Sequence, residues 1–558
     1  MIFFDFLKKT KLSDKLFFLV LAISSNYYML NIGQSDRTLP FNAAVISLSV
    51  VFILFAFGDI SNKGRVIFPQ FLKVSIIIIS VLLSPLLFMK SDLVEFAPRL
   101  LMIFGVLVLY LSFCQLKVSS KHILWGIVTV GLFQVAWGIY QITLMDFERP
   151  YGIFQQVNVY GSFLATVFAI SGFLAARTKG RGAIPFLLIL PASCIILVDL
   201  TTSRTAMIGI VISALMLLPV LFRKSIKFSV KVWFVSAILG VIIVITPRVQ
   251  THLVSPSVEV AQGKSIFSKT GREFIYPQVL KLANENFLTG VGFENFDNEY
   301  LNRTADWFHQ GEMDTYGLHN LDYPHSELLY WYVEGGIFSL IGIISLIILI
   351  LYRVSQVIKG WEFAFLSLIA PISIHILLEF PLYQSQLHLF LFVSLIYVIN
   401  TYSRDKISYF RIAIPDFLTK GLQLAMMLFS IAYLSSITYA NYLMINFSES
   451  DDKNPKKLTF LHSNWLLGVR YERHYQEAFI RYAINNRSES LVKEYIEWAE
   501  VSVDKDPFLS EYRYLIFAYY ALENERKASE VKLRADYLYP KFDIGKRTFN
   551  VPTVIKGT

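Results

Sequence analysis

Charge is scarce in this sequence. Asp, Glu, Lys and Arg make up 17% of its 558 residues, against 54% hydrophobic residues, and a soluble chain of this size could not bury that much apolar surface. The shortage excludes a soluble globular protein. Cysteine is scarcer still. Cys114 and Cys194 are the only two, and each falls inside an apolar segment, where a small buried thiol serves packing, so no disulfide framework is implied. The opening MIFFDFLKKTKLSDKLFFLVLAISSNYYML has basic residues before an apolar run but no small-residue cleavage site, and reads as a retained first span with its basic end in the cytoplasm. The net charge of +9 does not announce nucleic acid, because Lys and Arg flanking apolar runs set membrane orientation.

Apolar length is what the sequence has in excess. Stretches such as SIIIISVLLSPLLF, LLMIFGVLVLYLSF and GIFSLIGIISLIILILY approach or reach the roughly 20 residues a helix needs to cross the hydrocarbon core. Spans are expected near residues 15–31, 40–58, 70–89, 97–116, 122–143, 158–176, 183–199, 205–222, 229–246, 326–352, 361–379, 384–401 and 418–443, roughly thirteen by length. Alternate connections carry Lys63/Arg65, Lys117/Lys121, Arg177/Lys179/Arg181, Arg223/Lys224/Lys227/Lys231, Arg353/Lys359 and Arg404/Lys406/Arg411, which the positive-inside rule assigns to the cytoplasm. The other connections include 144–157, the turn near 200–204 and a long loop, 247–325. They carry mixed charge and are expected outside, in the periplasm of a two-membrane bacterium.

Residues 446–558 are polar and rich in aromatics, with helical spacing of apolar positions. Pro507 and Pro540 stand close to one tetratricopeptide period apart, with Tyr512, Ala518, Tyr519 and Ala528 between them suiting a helix-turn-helix unit. The expected organisation is therefore a transmembrane domain, 1–445, containing the loop 247–325, followed by a helical repeat-like periplasmic domain, 446–558.

Chemistry-bearing residues gather in the outside connections. Loops as long as 247–325 are usually functional or disordered, and two aromatic-amphipathic stretches in this one look able to lie on the membrane surface or pack across the spans. It closes on HNLDYPHSELL. Ser326 suits an N-cap and Glu327 the first helical turn, so His325 is either incidental to a cap or a base placed at the outer membrane face, where it could take a proton from a hydroxyl. Glu327, Tyr330 and Glu334 share a helical face below it. Arg149, Arg204 and Arg272 are either snorkelling anchors or guanidinium forks for a phosphate. Gln156 and Asn158 cap a helix or bind sugar and phosphate oxygens. His375, Glu379, Tyr383 and His388 flank a short outside turn, deep enough that ionisable groups there are functional candidates, although His375 and Glu379 at i and i+4 could simply pair on one helix.

Other signals are weak. GVGFENF from Gly290 has two glycines of a dinucleotide fingerprint but Asn295 in the third glycine's place. His319, Asp322 and His325 could be imagined as metal ligands, yet show no second shell. Asp504-Lys505-Asp506 reads as a turn before Pro507.

Taken in order, RPYGIFQQVNVYGSFLA, DLTTSRTA, TGREFIYPQVLKLANENFLTGVGFENF, YPHSELLYWYVEGGI and HILLEFPLYQSQLHLF resemble the bacterial O-antigen ligase and polymerase superfamily, closest to the PglL-type protein O-oligosaccharyltransferases. The resemblance covers about residues 130–400. It implies an all-α, class C-like membrane glycosyltransferase of the inner membrane that moves an oligosaccharide en bloc from undecaprenyl pyrophosphate to Ser or Thr of a periplasmic protein such as a pilin, without a metal or other cofactor. It further implies that His325 is the essential loop histidine and that Arg204 and Arg272 hold the donor pyrophosphate, with Arg149 a third candidate. Two rivals remain at this stage: a ligase or polymerase with a lipid-linked sugar acceptor, and a transporter or flippase. The repeat-like tail favours protein as acceptor. The lack of an internal repeat disfavours a transporter.

Overall fold

Apolar segments removed from water must satisfy every backbone amide internally, which restricts them to helices or closed barrels. The chain takes the helical solution. The computed structural model describes residues 11–29, 38–88, 93–178, 180–246, 271–313, 321–403, 407–411, 415–462, 464 and 466–541. Before the long loop come α1 (Leu12–Ser24), α2 (Pro40–Lys63), strand β1 (Arg65–Pro69), α3 (Gln70–Leu82), α4 (Leu93–Leu116), α5 (Ser120–Thr143), α6 (Val157–Arg177), α7 (Ile184–Leu200), α8 (Arg204–Arg223) and α9 (Phe228–Ile245). The loop contributes α10 (Arg272–Glu285) and α11 (Phe296–His309), followed by α12 (Glu327–Ser355), α13 (Glu362–Ser367), α14 (Ala370–Leu378), α15 (Pro381–Gln384), α16 (Gln386–Tyr402), strand β2 (Ile407–Arg411) and α17 (Asp416–Glu449). The tail forms α18 (Thr459–His462), α19 (Val469–Asn485), α20 (Glu489–Lys505), α21 (Leu509–Ala521) and α22 (Glu525–Leu538).

Among the described residues, nine helices are long and apolar enough to cross a bilayer, and α3 and α16 are shorter apolar helices. Every expected run overlaps a helix, but two are interrupted. The run 361–379 divides into α13 and α14, and α12 breaks at Gly336 (φ 60°, ψ −155°). The protein is an all-α polytopic membrane protein. Side chains such as Ile77, Leu101, Phe104, Val235 and Ile348 are exposed, as a surface in contact with lipid tails allows.

The chain divides into two compact units. The first is Met1–Val81, Ala97–Ser268 and Gly342–Leu434. Helix α6 is its centre, buried from Val159 to Ala176 and packed against α5, α7, α8 and α14. Close approach is achieved with small residues, the usual device between helices in lipid: a Cβ on Gly161 would stand 2.7 Å from that of Ala206 on α8. Basic helix ends meet on one face of this unit. Arg353 donates to Asn400 Oδ1 at 2.7 Å, Arg177 lies 4.6 Å from the centre of the Tyr402 ring, and Lys227 donates to the Ala176 carbonyl at 2.8 Å.

That face also carries the described sheet, a two-stranded antiparallel ribbon of β1 and β2 in which Arg65 stands opposite Arg411 and Ile67 opposite Tyr409. Buried Gln115 near the end of α4 accepts from the Ile67 N–H at 2.9 Å and donates to Asp59 at 2.7 Å, tying the ribbon to α2 and α4.

The second unit is Leu82–Phe96, Lys269–Ile341 and Ser435–Thr558. Helix α11 is two-faced. Phe296, Tyr300 and Trp307 enter an apolar core with Ile275, Val279 and Leu282 of α10 and Tyr330 and Val333 of α12. Leu301 and Ala305 enter a second core with Ile480, Tyr495, Leu515, Ala528 and Leu538 of the tail. Of the alternatives for the loop's amphipathic stretches, lying on the membrane surface or packing, α11 packs, because protein covers both its apolar faces. Helix α10 leaves Phe274 and Leu280 exposed, and Phe287 and Leu288 follow it.

Candidate active site

Helix α12 begins directly after Ser326, whose carbonyl accepts the Tyr330 N–H at 2.9 Å, so Ser326 holds the N-cap position the sequence suggested. His325, one residue earlier, has φ of 54°. A left-handed backbone at a residue with a Cβ carries strain and persists only when neighbours over-determine it. One such neighbour is Tyr276 of α10, whose hydroxyl donates to the His325 carbonyl at 2.8 Å. Arg272 lies four residues before Tyr276, on the same helix face. Helix α10 thus brings Arg272 and the His325 segment to one locality. The imidazole is half-buried, accessible yet partly shielded from water.

The two acids below His325 are structural partners in this arrangement. Glu327 is buried, and its Oε2 accepts the Trp331 indole N–H at 3.1 Å. Glu334 is fully buried, and its Oε1 accepts the Glu294 N–H at 2.9 Å. That bond belongs to a crossing in which residues 287–294 run along the break in α12. Val291 N–H donates to Val333 O at 2.9 Å, Gly292 N–H to Glu334 O at 3.0 Å, and Ile337 N–H to Phe287 O at 2.9 Å. The backbones approach so closely that a Cβ on Gly290 would lie 2.3 Å from the Glu334 carbonyl carbon, and one on Gly336 would lie 2.5 Å from the Leu288 oxygen. The glycines of GVGFENF serve this crossing rather than a dinucleotide. Half-buried Asp297 stands nearby. Burial, reinforced by Asp506, Asp322 and Glu334, pushes its carboxyl well above the usual range, against the opposing bond from the Asn298 N–H.

In the first unit the polar groups gather at the opposite helix ends from the basic face. Arg149 donates from Nε and Nη2 to the Thr201 carbonyl at 2.9 and 2.5 Å. It thereby braces the turn Thr201–Ser203, in which Thr202 is left-handed (φ 52°) and the Ser203 hydroxyl accepts the Ala206 N–H at 3.4 Å. Arg204 is the first residue of α8 after this braced turn. Gln156 is an N-cap, its Oε1 accepting the Val159 N–H at 2.7 Å, and Asn158 is half-buried in the first turn of α6.

His375 and His388 are fully buried and share one hydroxyl. Ser162 Oγ lies 2.8 Å from His375 Nδ1 and 2.9 Å from His388 Nε2, while His388 Nδ1 lies 3.0 Å from Ser385 Oγ. The pairing of His375 with Glu379 along one helix is corrected by the backbone: α14 ends at Leu378, and Glu379 is extended (φ −160°, ψ −164°). Tyr383 is buried on α15.

Sequence reasoning missed three buried amides that hold these turns. Gln141 Oε1 accepts from Tyr151 and Gly152 N–H at 3.0 and 2.8 Å. Gln134 donates to Ser25 O at 2.8 Å and accepts from Ile153 N–H at 3.3 Å. Asn42 donates to Gln384 O and accepts from Gln386 N–H, both at 2.9 Å. The available signal was two glutamines seven residues apart in an otherwise apolar span.

Among the described residues no group of three His, Cys, Asp or Glu side chains gathers to hold a metal. Asp322 is exposed, and His319 lies outside the described residues.

Two protein-family models match the chain. One, described as O-antigen ligase, covers residues 187–344 and therefore includes Arg204, Arg272, His325 and Glu334. The other, described as the C-terminal region of a virulence factor membrane-bound polymerase, covers residues 363–547 and includes His375, His388 and most of the tail. No curated protein matches.

Proposed function

We propose that the chain, matched by the O-antigen ligase and membrane-bound polymerase family models over residues 187–344 and 363–547, is a membrane enzyme of lipid-linked sugar transfer that moves an oligosaccharide en bloc from undecaprenyl pyrophosphate to a Ser or Thr hydroxyl of a periplasmic protein such as a pilin. The observation that carries this reading is the left-handed His325, its carbonyl held by Tyr276 one helical turn from Arg272. In the proposed reaction, His325 accepts the hydroxyl proton as the acceptor oxygen bonds to the anomeric carbon. The bond from that carbon to the pyrophosphate oxygen breaks, and undecaprenyl pyrophosphate leaves with the electron pair. A base so placed contributes roughly 10²–10⁴-fold. Arg272 is assigned to the charge that develops on the leaving pyrophosphate, and Arg204, at the turn that Arg149 braces, keeps the donor-binding role that the family resemblance implies for it.

The basic helix ends support an orientation with that face in the cytoplasm and the His325 loop in the periplasm, in the inner membrane where such donors are displayed. The tail supports a protein acceptor, since stacked helical pairs offer extended surfaces to polypeptides. A lipid-linked sugar acceptor is the second reading, favoured by the descriptions of both matched families. Mass spectrometry of periplasmic proteins and lipopolysaccharide, from cells with and without the chain, separates the two. The expected result is loss of glycopeptides with lipopolysaccharide unchanged. Loss of the lipopolysaccharide glycan with glycopeptides unchanged assigns the lipid acceptor instead.

A further inference from the structure

The ribbon on the basic face plays no part in the proposed transfer. Its register puts Arg65 directly opposite Arg411, where antiparallel partners have Cα atoms about 4.5–5.5 Å apart and like charges are destabilising. Both arginines are exposed, and among the described residues no carboxylate pairs with either. Beside them Tyr409 and Phe410 are 55% and 47% exposed. The Arg65 guanidinium lies 5.6 Å from the Tyr409 ring centre, and Lys73 Nζ lies 5.3 Å from that of Phe410. A soluble protein would hide two such rings. Here α3 starts at the residue after β1, and α17 starts soon after β2 with Phe417 and Leu418 exposed. The ribbon therefore stands at the depth where lipid-facing helices begin, the depth at which Tyr and Phe rings with basic neighbours meet headgroups.

We propose that the β1–β2 ribbon is a docking surface for an anionic phospholipid of the adjoining leaflet, its phosphate held between Arg65 and Arg411 and its glycerol region against Tyr409, which shares their face of the ribbon. Two guanidinium forks present donors matched to phosphate oxygens, and an anion between them converts the repulsion of the register into attraction. The ribbon is already fixed to α2 and α4 through Gln115, so the lipid finds a formed site.

The test is thermal melting of the purified full-length protein in a neutral detergent, with added phosphatidylglycerol or phosphatidylcholine, for wild type, Arg65→Gln/Arg411→Gln and Arg65→Lys/Arg411→Lys. Without added lipid the glutamine variant should melt at or above wild type, because the repulsion is gone. Phosphatidylglycerol should raise the wild-type midpoint more than phosphatidylcholine does, the lysine variant should keep part of that gain, and the glutamine variant should lose it. Native mass spectrometry should show retention of phosphatidylglycerol by the glutamine variant falling on the order of tenfold. Equal stabilisation of wild type and glutamine variant by phosphatidylglycerol, or equal effects of the two lipids on wild type, overturns the proposal.

Discussion

His325 is held by groups that are remote in sequence. Its carbonyl takes a hydrogen bond from a tyrosine 49 residues earlier, and its backbone sits in a region that glycine would occupy at less cost. Replacing the side chain tests chemistry, and replacing the tyrosine tests placement. His325→Ala should lower transfer by about 10²–10⁴-fold while membrane insertion and expression stay normal, as measured by glycopeptide yield at matched protein level; transfer at the wild-type rate would remove the assigned base. Tyr276→Phe removes one hydrogen bond worth about 0.5–1.5 kcal/mol. It should lower kcat roughly 2- to 10-fold with the pH profile unchanged, since the imidazole remains. The position of His325 at the loop end was legible in the sequence, because Pro324 and Ser326 mark where a helix starts. Tyr276 was not legible, since a bond from a side chain to a distant carbonyl leaves no pattern of spacing. Arg149 is similar: its type left a snorkelling anchor and a phosphate ligand open, and the Thr201 carbonyl that its guanidinium braces left no mark in the sequence.

Among the elements, the apolar runs were readable because a bilayer demands length and little else. What the runs concealed were their interruptions. The doublet Gly335-Gly336 was the sole hint that α12 breaks, and its meaning depends on residues 287–294, which arrive from a different element. Gly290 has φ of 76° and no room for a Cβ, so Gly290→Ala should dislodge the crossing and expose the loop. Limited proteolysis should then cut within residues 286–295 at protease levels that leave wild type intact, and transfer should fall with it. Unchanged proteolysis would show that the crossing tolerates a displacement of the backbone. The ribbon escaped notice for another reason: five-residue strands amid basic connections are too short to show alternation, and their pairing joins positions hundreds of residues apart.

At the scale of the molecule, each unit gathers part of the chain from distant places, an organisation that hydropathy does not encode. The tail's helices were visible from their periodicity, but their shared core with α11 was not. Within the second unit the raised Asp297 carboxyl gives a pH signature. Its pKa in the folded protein lies above the unfolded value of about 3.9, so its contribution to stability is full below that value and is lost as pH rises through the folded pKa. Asp297→Asn should therefore raise the melting midpoint at pH 7 and converge on wild type toward pH 4, in scans of the full-length protein. A constant difference across that range would show that ionisation is not the cause. Helix α11 has a consequence for how such proteins can be recombined. With Leu301 and Ala305 seated among tail side chains and Tyr300 and Trp307 seated beside the helix that follows His325, grafting the tail of a relative without its own version of α11 would leave one socket mismatched. Loop and tail must be inherited together, as a lock is supplied with its key.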